Sequence, residues 1–107
     1  MKLNDVIRYL REPEKLNKFL ESEKISGDTE ELIIYMKNSL SIDSEIKFFG
    51  MEETGDLLNF GKDGIDYVQL FPISLATDAL EFLNLTEEKY DDLAAAKRLL
   101  DYRINDA

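Results

Sequence analysis

Apolar and polar positions alternate most regularly between Asp56 and Phe71, DLLNFGKDGIDYVQLF. Two such runs flank Gly61-Lys62-Asp63-Gly64, the strongest short-range hairpin signal in the chain. A three-residue loop, Lys62-Asp63-Gly64, puts Gly64 at the left-handed position that a type I turn plus bulge requires. Phe60 then lies opposite Asp66, Leu58 opposite Val68, and Asp56 opposite Leu70. Leu58, Phe60, Val68 and Leu70 would form a buried face, with Leu57, Asn59, Tyr67 and Gln69 on the other. A four-residue loop would scatter the large apolar residues over both faces, so the first register is expected.

Upstream the spacing is helical. Leu3, Val6, Ile7 and Leu10 predict a short helix, capped by Asn4 or Asp5 and ending near Arg11-Glu12, because Pro13 disfavours helical geometry in its predecessor. Pro13 suits the first turn of a second helix with a Leu16, Phe19, Leu20 stripe, stopped by Ser26-Gly27. Asp28-Thr29-Glu30-Glu31 resembles a capping box for a third helix through Leu40, apolar on more than one side and therefore well buried. Glu45 to Phe49 reads as a first strand, with Ile46 and Phe48 on one face and Lys47 and Phe49 on the other. Gly50 to Gly55 reads as a turn.

After the hairpin, Pro72 ends the last strand, and Ser74 caps a helix to about Leu83 with Leu75, Ala76, Ala79, Leu80 and Leu83 as its stripe. Asn84-Leu85 breaks it, and Thr86-Glu87-Glu88 opens a final helix carrying Tyr90, Leu93, Ala94, Leu100 and Ile104. The expected architecture is a single α+β domain spanning residues 1–107. A three-stranded antiparallel sheet, centred on the hairpin at 56–71, would have helices before and after it, packed mainly on one face.

Composition narrows the chemistry. The 107 residues contain no cysteine and no histidine, which removes disulfides, thiol nucleophiles, the commonest general base and the commonest transition-metal ligand. No serine stands in a nucleophile-elbow or Ser-x-x-Lys context, and no glycine spacing matches a phosphate loop. Three carboxylate pairs could in principle serve a glycosidase, Asp63 with Asp66, Glu52 with Glu53 and Asp91 with Asp92, but each reads as surface charge. Glu52, Glu53 and Asp56 lie close enough to invite a weak cation site, yet lack the alternating ligands and closing Glu of a calcium loop. No catalytic residue, cofactor or metal is expected, and the chain does not read as an enzyme.

Charge changes the picture most. Net charge is −10, and residues 27–107 carry eighteen Asp/Glu against seven Lys/Arg, whereas residues 1–26 are close to neutral. That sign disfavours direct nucleic-acid binding; it reads either as a solubilising surface alone or as a surface for a basic protein partner. No apolar run approaches the roughly 18 residues of a membrane span, and the first residues resemble no secretory signal. A cytoplasmic protein of a bacterium or phage is the expectation. Glu52, Glu53, Asp56, Asp63, Asp66 and Tyr67 are the expected partner-binding residues, since they combine acidity with an aromatic on the second hairpin face.

The expected function is therefore a non-catalytic protein-binding module, with inhibition of a nuclease or toxin as its most concrete form. Small acidic inhibitor and immunity proteins of bacteria share this size and charge, an analogy of bulk properties alone. The alternative is a small structural or regulatory subunit that self-associates through the open sheet face or an outer strand, and the chain is expected to be a monomer or a weak homodimer.

Overall fold

The computed structural model describes residues 1–25, 30–86 and 91–105. Helices α1 (Leu3–Arg11) and α2 (Pro13–Ser22) lead into β1 (Leu32–Lys37) and β2 (Ile46–Gly50). A single helical turn, α3 (Met51–Thr54), precedes the hairpin strands β3 (Asn59–Lys62) and β4 (Ile65–Pro72), followed by α4 (Ile73–Thr86) and α5 (Asp92–Asn105). The chain is α+β, and its sheet has four strands, not three, all antiparallel in the order β2-β1-β4-β3.

The additional strand is β1, where the sequence suggested a third helix. Leu32-Ile33-Ile34-Tyr35-Met36 is a continuous apolar run with no alternation, and all five residues are buried. A central strand covered on both faces has this signature, and its β-branched and aromatic content suits a pleated surface better than a helix. The capping residues expected at Asp28 and Thr29, like the helix stop at Ser26-Gly27, lie outside the described residues. Within them, α2 already ends in a Schellman turn. Lys24 is left-handed (φ 57°), and the N–H groups of Lys24 and Ile25 bond the carbonyls of Glu21 and Leu20.

One face of the sheet carries the larger core. Leu3, Val6, Ile7 and Leu10 of α1, Leu16, Phe19 and Leu20 of α2, Ala76 and Leu80 of α4, and Ala95, Ala96, Leu99 and Leu100 of α5 bury Ile34, Met36, Ile46 and Leu70. The stripes of α1 and α2 match the sequence spacing. Those of the later helices match in part: Ala76, Ala79, Leu80 and Leu100 pack into this core as expected, whereas Leu75, Leu93 and Ile104 are exposed and Ile73 and Leu99 are buried. α4 runs through Asn84-Leu85 to Thr86, so that break does not occur. Within the described residues the last helix starts at Asp92, with the Asp91 carboxylate accepting the Ala94 N–H at 2.7 Å. The expected helix opening at Glu87-Glu88 and the Tyr90 position lie outside them. Asp5 is the third residue of α1 and accepts the Lys2 N–H from within the helix, and Ser74 sits inside the first turn of α4.

The hairpin register differs from the expected one by one residue. Lys62 pairs with Ile65, Gly61 with Asp66, Phe60 with Tyr67 and Asn59 with Val68. The loop is the two residues Asp63-Gly64, both at positive φ (55° and 79°), as a type I′ turn demands and as the Asp-Gly sequence allows. Phe60 therefore joins Tyr67 on the second face, Asn59 shares the first face with Val68, and Leu58 is exposed. A register shift between Ile34 and Tyr35 places an extra residue in β4, after which Leu70 and Phe71 both enter the larger core.

Candidate functional site

The second sheet face holds a smaller core of Ile33, Tyr35, Phe49 and Tyr67, flanked by Phe60 and Ile65. Phe49 is its centre, with ring centroids 5.7 Å from Tyr35, 5.2 Å from Phe60 and 5.0 Å from Tyr67, all edge-on. Such geometry sets ring edges against the electron-rich faces of neighbours. The Lys62 ammonium lies 5.6 Å from the Phe49 ring centroid and is ion-paired with Glu53. That bond to the Glu53 carboxylate, and then its charge, raise the Lys62 pKa above the ordinary value.

Residues 51–58, of which those to Gly55 read as a turn and Asp56 to Leu58 as the start of the hairpin strand, are fastened to this face; α3 occupies Met51–Thr54 and β3 begins only at Asn59. Gly55 caps α3 in the left-handed region (φ 63°), and Asp56 follows at φ 58°. The Asp56 N–H bonds Thr54 Oγ1 at 3.2 Å, and Thr54 is buried. The Tyr35 hydroxyl donates to the Leu57 carbonyl at 2.5 Å, and the Gln69 side-chain amide donates to Asp56 Oδ1 at 3.1 Å. Gln69, on the sheet beneath, is 8% exposed and could not stay there unpaired.

Of the residues expected at a partner surface, Glu52, Glu53, Asp56, Asp63 and Asp66 are exposed: Glu52 and Glu53 lie on α3, Asp56 follows it, Asp63 is in the hairpin turn, and Asp66 lies opposite Gly61, on the sheet face away from Lys62. Tyr67 is different. It is 5% exposed and belongs to the smaller core, where it supports β3 from inside the molecule. Among the described residues no three carboxylates converge as a metal site. Asp91 and Asp92 have structural partners: Asp91 caps α5, and Asp92 pairs with Arg8 at 3.8 Å and Arg11 at 3.4 Å. The cleft lined by Arg8, Arg11, Glu12, Lys15 and Asp92 has its cations matched by those acids, with Lys15 3.0 Å from Glu12. Among the described residues no helix is long and apolar enough to cross a membrane.

The sequence suggested an outer strand only as a surface for self-association, and the pairing shows which backbone groups that edge leaves open. Gln69 N–H bonds the Leu58 carbonyl at 2.8 Å, and the carbonyl of Asp66 accepts instead from Asn38 of the β1 side at 2.7 Å. Alternation along an antiparallel ladder then directs Phe60 and Lys62 toward β4 and turns the N–H and C=O of Asn59 and Gly61 outward. β3 is the terminal strand, and among the described residues nothing bonds those outward groups. Leu57 and Leu58, 56% and 59% exposed, lead into it. At the opposite edge, by contrast, Met1 and Lys2 close one end of β2: Ile46 N–H bonds the Met1 carbonyl, and Lys2 bridges to Glu45. The signal in the sequence was Gly61, since a glycine within a strand often marks a place where another backbone comes close.

Comparison with known proteins finds no match: no family model, no curated protein and no solved structure aligns significantly with the chain.

Proposed function

We propose that this chain is a non-catalytic protein-binding module that presents the acidic end of its hairpin to a basic protein. An inhibitor or immunity-type protein, acting on a nuclease or toxin, is the most concrete form of that role. The observation that carries the reading is local charge. Met51 to Asp66 contains five carboxylates and one lysine, and that lysine is already engaged by Glu53. A surface of one sign raises the encounter rate with a partner of the other sign and disfavours phosphate backbones.

The test begins with a partner captured from the native host at low ionic strength. Association of wild type and the Glu52→Lys/Glu53→Lys variant is then followed across a salt series. The variant should associate slower by roughly an order of magnitude or more at low salt, with the difference shrinking as salt screens both. Equal rates at every salt would overturn the reading. A second reading, self-association, is favoured by the open β3 edge and the exposed Leu57 and Leu58. It predicts a dimer in size-exclusion chromatography whose population grows with salt, as repulsion between two acidic copies is screened.

A further inference from the structure

We infer that the partner is bound by strand addition: an extended, basic segment pairs with the outer edge of β3 as a fifth strand of the sheet. This rests on the basic-partner reading above and adds to it a site and a mode. Four observations meet at this edge. The outward N–H and C=O groups of Asn59 and Gly61 form a two-residue repeat, which an incoming strand satisfies with its own alternate residues. Gly61 has no side chain to hinder a neighbouring strand, and a glycine inside a strand often marks a place where another backbone comes close.

Of the usual protections of an edge, β3 has its shortness, four residues, and not the others. Natural edge strands are guarded by lysines that repel a neighbour, by proline or by a bulge. The one lysine of β3, Lys62, is drawn back over Phe49 by Glu53, and the register with β4 is unbroken. Exposed Leu57 and Leu58 supply apolar contact at the start of the edge, and Glu52, Glu53, Asp56, Asp63 and Asp66 supply the charge.

That charge also chooses the occupant. A second copy would bring the same five carboxylates against themselves, in a chain that already carries −10, whereas a segment rich in lysine or arginine neutralises them. An extended segment of a basic protein is therefore the occupant that fits both the backbone pattern and the sign.

The probe is a short capped peptide of alternating lysine and valine, titrated into the intact protein at low salt. Its counterpart is the same peptide N-methylated at alternate residues, which keeps the charge but loses one row of backbone donors. The protein variant is Gly61→Pro. Because the Gly61 N–H faces outward, proline removes the donor an added strand needs without breaking the bonds to β4, as edge positions allow. Circular dichroism establishes that the variant is folded, and the methylated peptide tests the same bonds on the wild-type protein.

Strand addition predicts slowed amide exchange at Asn59 and Gly61 when the peptide binds, and binding weaker by about tenfold or more for both the methylated peptide and Gly61→Pro. Salt-sensitive binding that is indifferent to methylation and leaves both amides unprotected would overturn strand addition while leaving the basic-partner reading in place. Absence of any binding at low salt would overturn both. A free protein that is dimeric, with Asn59 and Gly61 already protected, would show that the occupant is a second copy and overturn the inference.

Discussion

Gln69 on β4 donates its side-chain amide to the carboxylate of Asp56 across 3.1 Å, and by that bond the buried sheet holds the segment leading into the edge strand. Asp56 is left-handed (φ 58°), a conformation that Asp tolerates better than most residues. The Tyr35 hydroxyl makes a parallel attachment to the Leu57 carbonyl, so two side chains of the second sheet face hold residues 56–58.

Removing one of these attachments should therefore loosen the segment before it unfolds the domain. Tyr35→Phe keeps the ring packing against Phe49 and loses only the hydroxyl bond, a cost of about 1 kcal/mol. Chemical denaturation should register that loss. Amide exchange at residues 56–58 should rise by more than exchange in β1, because the bond lies at their boundary.

The two glycines of the hairpin should respond unequally. Gly64 is at φ 79°, where a β-branched residue is strained, so Gly64→Val should cost about 1–2 kcal/mol. Gly61 is not at positive φ and has room for a methyl group, so Gly61→Ala should cost less. Thermal melts of the two variants check the difference, and equal losses would contradict the type I′ turn.

Much of this fold was legible because the hydrophobic period was clear. Alternation located β2 and both hairpin strands, and three- and four-residue spacing located α1 and α2 with their buried residues. β1 was hidden because Leu32 to Met36 are buried on both sides, which erases the period that separates a strand from a helix. The register was missed by one residue because it turns on whether Asp63 as well as Gly64 takes positive φ. The acidic residues were visible in the sequence, but their relation to an open edge depends on which carbonyl and amide groups β4 already occupies, and that follows only from the pairing.

Tyr67 is the residue whose expected role changes most. As part of the smaller core beneath β3, it should matter first for stability: Tyr67→Ala should cost about 3 kcal/mol, near the low end for deleting a buried aromatic ring. Any weakening of partner binding should then follow from a displaced β3 and be matched by Phe49→Ala, which touches the same rings. Denaturation midpoints measured beside binding separate this from a direct contact.

The Lys62–Glu53 pair carries a pH signature of definite sign. The Lys62 pKa is raised in the folded protein, chiefly by its bond to Glu53, above the ordinary value of 10.5. A base whose pKa is raised on folding contributes stability that is fully present below its unfolded value and lost as pH climbs through the folded one. The stability difference between wild type and Lys62→Met should therefore be level from neutral pH up to 10.5 and fade only at more alkaline pH. Melting temperatures of both proteins along a pH series check it.

Amide hydrogen exchange at Asn59, Phe60, Gly61 and Lys62 in the free protein tests the open edge most directly, and it needs no partner. Phe60 and Lys62 point their N–H groups at β4, whereas Asn59 and Gly61 point theirs away from the sheet. Exchange should alternate, fast at Asn59 and Gly61 and slow at Phe60 and Lys62. Four amides protected to the same degree would mean that the β3 edge is already covered, and that no strand could be added there.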